Sequence, residues 1–363
     1  MRCFTIFLLY CLLTGISCTQ KNTIVSLNSC TSSALKNNFQ YNDLLDELPP
    51  TVVAALVEVP DENGALGRNK VGYFHVRFQL HMTRLTDYAL KFQNEAAILA
   101  YLQNLNYSFS YQNPEGDFQF IAPEELVQAA NYQNPSLSDL ASGTAFFAYS
   151  LGLSLNSLNT SEWYTNNASL VAVRQEIEAL RPNVQRMLTY LKNSVSLLKT
   201  IDAKAPNRLL FDAIAFYSFG VYLDDQEAKS IGIDFAQSAL SQIQETEGYF
   251  IEGGGWDSSY NGVAIKLGLE LFTLIPNASE NSTKEALETF VSCATDWQRS
   301  RVLSTGEIST EGNTRVFPGG EEFLGNEKEV DVIKTVKAFY YMNALANEEA
   351  YKLLAERIIT FYN

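Results

Sequence analysis

Apolar residues recur at helical spacing through most of the chain, and few segments show the alternation of a strand. In one segment Val263, Leu267, Leu271 and Leu274 share one helix face, and Pro276 ends the run. The same spacing predicts ten helices, over residues 86–105, 123–131, 136–157, 168–201, 207–223, 225–244, 258–275, 283–302, 330–345 and 347–363. We therefore predict an all-α fold.

Two places depart from this simple pattern. Residues 51–84 alternate apolar and polar positions, so they form either strands or irregular packing ahead of the first full helix. Pro182 lies inside the longest helical run, where its ring removes a backbone donor and is expected to break the helix or restart it.

Glycine-containing loops of similar pattern follow several of the predicted helices. The three instances are residues 114–118, 246–250 and 304–308. The predicted helices also alternate between strongly apolar and more charged sequences, as inner and outer helices do. Helical pairs repeated in this way cannot bury their apolar faces alone and must stack in a ring or a solenoid. We expect one domain over residues 51–363, built of helical hairpins stacked in a ring or a solenoid.

The segment EGYFIEGGGWDSSYNGVAIKLG, residues 247–268, is the most distinctive in the chain. Together with the similar loops it resembles the (α/α) toroid proteins, the helical barrels of many polysaccharide lyases and glycoside hydrolases. The resemblance implies an (α/α) toroid or an incomplete helical barrel of stacked helical hairpins. It also implies a substrate cleft built by loops at one mouth of the barrel. Lyases of this shape commonly use a His and a Tyr, but the only histidines here, His75 and His81, lie in the N-terminal part. We also expect no β-sandwich domain of the kind that follows the toroid in several lyases.

Charge and motif content exclude several classes of function. The net charge is −15, from 26 basic and 41 acidic residues, which argues against nucleic acid, since its binding rests on clustered Lys and Arg. The same charge disfavours a polyanionic substrate, although a local basic pocket could override it. Zinc, calcium, phosphate-loop and nucleophile-elbow motifs do not occur, so no metal or cofactor is expected.

The N-terminus has the composition of an export signal. Arg2 precedes an apolar run over residues 4–13 that is too short to span a bilayer, and the sequence before Cys18 resembles a bacterial lipobox. We predict a signal peptide over 1–17, lipidation of Cys18, a polar tether and lead-in over 18–50, and a membrane-anchored location in the cell envelope; an ordinary secreted protein is the alternative. Cys30 and Cys293 could pair, but a buried free thiol is the simpler role for Cys293.

Candidate catalytic residues follow the three glycines at 253–255. Asp257 either caps the next helix or acts as a general base, and both roles are compatible. Tyr260 either donates a proton or packs with its hydroxyl bonded. Trp256 either stacks on a sugar ring or closes the core beneath the loop. Asn261 is a candidate for substrate binding.

The long loop over residues 303–329 is the second candidate region, because connections of this length are usually lids or binding loops. Arg315 could bind a carboxylate, and Glu321 or Glu322 could pair with Asp257 as acid and base across a glycosidic bond. A solvated acidic loop is the alternative.

Two functions remain open from the sequence. The first is cleavage of a neutral or weakly charged polysaccharide, by a lyase or a glycoside hydrolase reaction, with Asp257, Tyr260 and Glu321 as catalytic groups. The second is a surface lipoprotein that binds a glycan or a protein through Trp256, Tyr260 and Arg315 without chemistry.

Overall fold

A computed structural model of the chain describes residues 34–128, 134–276, 281–323 and 326–363. Nearly all regular structure in these residues is helical. The exception is a short antiparallel pair, in which β1 (Glu322–Phe323) lies against β2 (Asn326–Glu327). The predicted all-α fold class is confirmed. No helix within these ranges is long and apolar enough to cross a membrane.

The α-helices are numbered in chain order, and the structure gives the following bounds: α1 (Tyr41–Glu47), α2 (Pro50–Leu56), α3 (Met82–Phe92), α4 (Glu95–Ser110), α5 (Glu124–Val127), α6 (Leu137–Thr160), α7 (Glu162–Asn166), α8 (Val171–Ala179), α9 (Arg181–Asn193), α10 (Val195–Ile201), α11 (Pro206–Leu223), α12 (Gln226–Leu240), α13 (Ser258–Leu274), α14 (Asn281–Ser300), α15 (Val332–Ala346) and α16 (Glu349–Tyr362).

The helices form an inner ring with outer partners. Along the ring α3 packs on α6, α6 on α11, α11 on α13 and α13 on α15. A buried ion pair closes it, with Lys337 of α15 3.0 Å from Asp87 of α3. Outside the ring, α4 packs on α3, α9 and α10 on α6, α12 on α11, α14 on α13 and α16 on α15. This arrangement of helical hairpins is the predicted toroid.

Apolar sequence and small residues explain why these helices form the inner ring. Every residue of α13 from Ser258 to Phe272 is buried, so this helix has no solvent-facing side. Gly152 and Gly262 let neighbouring helices approach closely: an added Cβ would lie 1.9 Å from Ser218 Oγ and 2.2 Å from Thr335 Oγ1, respectively.

The N-terminal segment closes one end of the ring. Lys36 N donates to Leu345 O at 2.9 Å, at the end of α15, and Asn42 Nδ2 donates to Ser157 O at 2.9 Å, near the end of α6. Leu44 of α1 is fully buried, so this stretch packs as part of the helical domain. The opposite end of the ring, where the inner helices begin, is the mouth.

The glycine loops predicted to repeat share one geometry. Gly116, Gly248 and Gly306 each have positive φ, and each sits in a turn closed by an isolated antiparallel bridge. Each also lies against a later outer helix, α9, α14 or α16, where an added Cβ would come within 2.7 Å of another atom. These loops end the outer helices α4, α12 and α14 and lead the chain back to the mouth.

Some local predictions need correction. The single helix expected over 86–105 is two helices, because Gln93 adopts φ 50° and Asn94 caps α4. Pro182 does restart the helix, at the beginning of α9. The ambiguous segment contains α2 and two 3-10 helices, Gly67–Val71 and Val76–His81, rather than paired strands. Cys293 is disulfide-bonded, so the free thiol expected there is wrong; its partner lies outside the described residues.

Candidate functional site

A cavity of about 380 Å³ opens at the mouth of the toroid. Its walls carry charged, polar and aromatic side chains together, and the lining residues are Arg77, Leu80, Phe146, Asn207, Arg208, Phe211, Ser259, Tyr260, Val263, Glu321, Lys328, Asp331 and Lys334. Concave sites with a few convergent polar groups are where ligands bind in most proteins.

The first turns of inner helices supply much of this lining. α11 contributes Asn207 and Arg208, α13 contributes Ser259 and Tyr260, and α15 contributes Lys334. Since the inner helices all begin at the mouth, residues far apart in sequence meet there. The loop over 303–329 adds Glu321 and Lys328, on either side of the β1–β2 pair, so it forms one wall of the cavity.

Tyr260 and Glu321 form the centre of this wall. Tyr260 donates its phenol proton to Glu321 Oε2 at 2.7 Å. Lys328 Nζ contacts the same phenol oxygen and lies 3.5 Å from Glu321 Oε2. The phenol, the carboxylate and the ammonium group therefore form one hydrogen-bonded cluster on the cavity surface.

The environment separates the protonation states of the pair. Burial, followed by the hydrogen bond to Glu321, raises the pKa of Tyr260 far above its usual range. Burial works against the charge of Glu321, but the hydrogen bond from Tyr260 and the cations Lys328 and Arg315 outweigh it and lower the pKa of this carboxyl. At neutral pH the pair consists of a phenol and a carboxylate.

Arg315 reinforces the cluster from behind. One guanidinium nitrogen contacts Glu252, which is buried, and the other lies 2.7 Å from Glu321 Oε1. Its guanidinium carbon is also 4.5 Å from the ring centre of Tyr260. The guanidinium of Arg315 is thus next to Tyr260 and Glu321, two of the three predicted catalytic residues, but it is held by two protein carboxylates.

Asp257 serves as the helix cap. Its Oδ1 accepts from the backbone N–H groups of Ser259 and Tyr260 at 3.0 and 3.1 Å. Its Oδ2 accepts from Arg315 N and Val316 N at 3.0 and 2.8 Å. The residue is fully buried and does not line the cavity. Asp257 therefore joins the first turn of α13 to the loop that carries Arg315.

Asn261 and Trp256 also lie away from the cavity. Asn261 is buried, its Oδ1 accepts from Phe250 N at 3.1 Å, and its Nδ2 donates to Ala294 O and Gln298 Oε1. Trp256 is half-buried, packs edge-on against Tyr249, and lies over Gly312, where an added Cβ would come within 2.7 Å of the indole. These contacts hold the glycine loop in place.

Six charged or amide residues of the cavity escaped the sequence prediction: Arg77, Asn207, Arg208, Lys328, Asp331 and Lys334. Four of them, Asn207, Arg208, Asp331 and Lys334, lie at the start of an otherwise apolar helix, and this placement is the signal that could have identified them. The cavity has four basic and two acidic side chains, although the chain as a whole carries a charge of −15. The positive excess at the cavity is therefore local.

Two more ion pairs lie at the cavity beside the contact between Lys328 and Glu321. Arg208 lies 3.2 Å from Asp202 Oδ1, and Lys334 contacts Asp331. Arg77 lies with its guanidinium carbon 4.8 Å from the ring centre of Phe146. Burial and the nearby Arg208 lower the pKa of Arg77, as expected for two cations that lie close together and are partly shielded from water.

Comparison with known proteins identifies no family. No protein-family description matches the sequence, and no curated protein is significantly similar to it. Among solved structures, a mutant of unsaturated glucuronyl hydrolase from Streptococcus agalactiae aligns with 12% sequence identity and a TM-score of 0.33, over 87% of this chain and 97% of that one. A similarity of this size assigns neither family nor activity.

Proposed function

We propose that the protein binds an acidic polysaccharide in the mouth cavity and cleaves it there. The observation that carries the proposal is the hydrogen bond between Tyr260 and Glu321 in a cavity that has more basic than acidic side chains. This choice replaces the neutral or weakly charged substrate expected from net charge. A cavity lined by cations concentrates anionic ligands even on an acidic protein.

The protonation states favour elimination over hydrolysis. Hydrolysis by two carboxyl groups requires one that stays protonated as the acid. The two carboxyls that line the cavity, Glu321 and Asp331, instead have lowered pKa values, against the effect of their burial; Lys334 stabilises the charge of Asp331. Two carboxylates supply a base but no acid, so the missing proton donor is Tyr260.

A balanced elimination can be written with these groups. The cations neutralise the sugar carboxylate, which makes the proton on the adjacent carbon easier to remove. Glu321 takes that proton, the electron pair forms a carbon–carbon double bond, and the glycosidic C–O bond breaks. Tyr260 gives its proton to the leaving oxygen and recovers one from Glu321 through their 2.7 Å hydrogen bond.

The test is incubation of the mature chain with polygalacturonate, alginate and hyaluronan, and with a neutral glucan as control. Unsaturated uronate absorbance and new reducing ends are followed together. We expect both signals with at least one acidic polymer and neither with the glucan. Reducing ends without absorbance would indicate hydrolysis instead. No product and no binding with any acidic polymer would overturn the proposal.

A non-catalytic glycan-binding protein is the second candidate. One observation favours it: both carboxyl groups that line the cavity are paired with cations, as in a site built for recognition. In that case the acidic polymer binds, no product forms, and Glu321→Gln changes affinity only.

We also propose that the chain is exported and anchored through a lipid on Cys18. The support is the charged, apolar and small-residue order of the first 18 residues. Detergent-phase partitioning of the expressed protein tests this. Cys18→Ala should move the protein to the aqueous phase, while Cys30→Ala should not; unchanged partitioning of Cys18→Ala would contradict the anchor.

A further inference from the structure

Two buried carboxyl groups lie behind the cavity wall that holds Arg208. Asp202 follows α10 directly and is fully buried, and Asp212 lies on α11, one turn after Arg208, with 1% of its surface exposed. Neither residue lines the cavity. Arg208 links Asp202 to the cavity, because its guanidinium lies 3.2 Å from Asp202 Oδ1 and the residue also lines the cavity.

The two carboxyl groups each leave one oxygen unexplained. Asp202 Oδ2 and Asp212 Oδ2 are buried, and no N–H or O–H group of the described residues donates a hydrogen bond to either atom. The two side chains are within hydrogen-bonding reach of one another. Two carboxylates cannot hydrogen-bond, since an ionised carboxylate only accepts. A single proton held between them satisfies both oxygens and removes the repulsion of two buried like charges.

The surroundings determine which residue holds the proton. The charged groups that face the pair are Arg208 on α11 and Arg77 on the 3-10 helix Val76–His81. Burial raises the pKa of both carboxyl groups. Both cations oppose this rise at Asp202, whereas the charge of Asp202 adds to it at Asp212 and holds the pKa of Asp212 far above its usual value. Asp212 is therefore the acid, and Asp202 is the carboxylate.

We propose that Asp202 and Asp212 act as a one-proton pair that positions Arg208 for the anionic group of the ligand. Ionised Asp202 forms an ion pair with the guanidinium of Arg208, and protonated Asp212 donates a hydrogen bond to Asp202. The proton on Asp212 also sets the net charge of the group. When Asp212 is protonated, Arg77 and Arg208 face only the negative charge of Asp202, and the four side chains together stay positive. When Asp212 is ionised, the two cations face two negative charges, and the sum is zero. This inference rests on the proposed function for its ligand, but the proton pair can be tested without one.

The ligand-free test uses Asp212→Asn, which mimics the protonated acid in shape and hydrogen bonding. The wild-type protein should show a carboxylic-acid C=O infrared band at neutral pH that is absent from the variant. Folding should also differ with pH. The pKa of Asp212 is higher in the folded protein than in the unfolded chain, where it is about 4. The wild type therefore loses stability as pH rises from that value towards the folded pKa, and Asp212→Asn lacks this loss.

The stability of Asp212→Asn relative to wild type should therefore grow with pH above that value. An unchanged infrared band, or a pH-independent difference in stability, would overturn the proton pair. If Asp202→Asn instead removes the band, the proton belongs to Asp202 and the assignment of roles is wrong.

Binding of oligosaccharides of polygalacturonate, alginate and hyaluronan tests the positioning role, and the variants are measured with the one that the wild type binds most tightly. Asp212→Asn should keep the wild-type affinity and should lose the decline in affinity that the wild type shows at alkaline pH. Asp202→Asn should weaken binding at least about tenfold, as Arg208→Met does, because Arg208 loses its charge-assisted bond. Wild-type affinity in a folded Asp202→Asn variant would overturn the positioning role. Absence of binding of all three by the wild type would instead count against the proposed function, and the infrared and stability results would then decide on the pair.

Discussion

Tyr260 and Glu321 share a 2.7 Å hydrogen bond across 61 residues of sequence. One comes from the first turn of α13 and the other from the loop beside β1. The bond exists because Asp257 holds that turn and that loop together through four backbone N–H groups. A residue outside the cavity thus fixes the geometry of the two residues on its surface.

Replacing either member of the pair should abolish turnover of an acidic polymer. Tyr260→Phe removes the proton donor and Glu321→Gln removes the base, so each should lower kcat by about 10²- to 10⁴-fold. Tyr88→Phe on α3 and Glu322→Gln beside the pair are matched controls, and both should keep activity. Full activity in both site variants, measured by unsaturated product, would rule out the assigned roles.

The acid side of the pH–activity profile should report Glu321. Its pKa is lowered, so the carboxylate stays ionised below the ordinary value of about 4.3 and activity should persist there. The stability that ionised Glu321 gives the fold is present above its ordinary pKa and is lost as pH falls through the lowered pKa of the folded protein.

Removing the guanidinium beside Glu321 should move this limb of the profile to higher pH. The variant for this is Arg315→Met combined with Glu252→Gln, which avoids leaving Glu252 as a buried charge without its partner. Glu252→Gln alone is the control. An unmoved profile in the double variant would show that Arg315 does not tune the base.

Asp257→Ala should destabilise the fold more than loss of an ordinary helix cap. It leaves four backbone donors without their acceptor, two of them in the loop, so we expect a loss of about 2–4 kcal/mol in the free energy of unfolding. Asn94→Ala at the start of α4 removes a cap with one bond, to Ala97 N, and should cost about 1 kcal/mol. If urea unfolding gave equal losses of free energy for Asp257→Ala and Asn94→Ala, the conclusion that Asp257 joins α13 to the loop would be contradicted.

The glycine turns should not tolerate a side chain. Gly306 has φ 98°, and an added Cβ would lie 2.3 Å from Arg357 O on α16, whereas Gly254 has φ 87° with open space around it. Both substitutions by Ala strain the backbone, but only the first forces two elements apart. Gly306→Ala should therefore lower the free energy of unfolding at least about 1 kcal/mol more than Gly254→Ala. The opposite order would refute the close approach.

Helical spacing was enough to predict the architecture, because the period of apolar residues and the glycine and proline residues that end helices are local signals. The repeated glycine loops were visible for the same reason: each needs a residue that accepts positive φ at the same place in its turn. The boundary between α3 and α4 was missed, since Gln93 adopts that conformation without being glycine.

The candidate site was predicted only in part. Tyr260, Arg315 and Glu321 do come together, but sequence could not distinguish the polar residues on the cavity surface from those that hold the loop. Asp257 and Asn261 look as functional as Tyr260 until their burial is known. Arg77 lies in the segment without a clear period, and its place beside Arg208 depends on how the ring closes.

The most direct test of the account compares one ligand in two charge states. Binding is measured by calorimetry for an oligosaccharide of polygalacturonate, alginate or hyaluronan, whichever the protein binds most tightly, and for the same oligosaccharide after its carboxyl groups are reduced to alcohols. We expect the acidic form to bind, with affinity that falls as salt is added and falls further in Lys334→Met but not in the surface control Lys352→Met. Equal affinity for the two forms, or binding of the reduced form alone, would contradict a cavity built for an acidic saccharide.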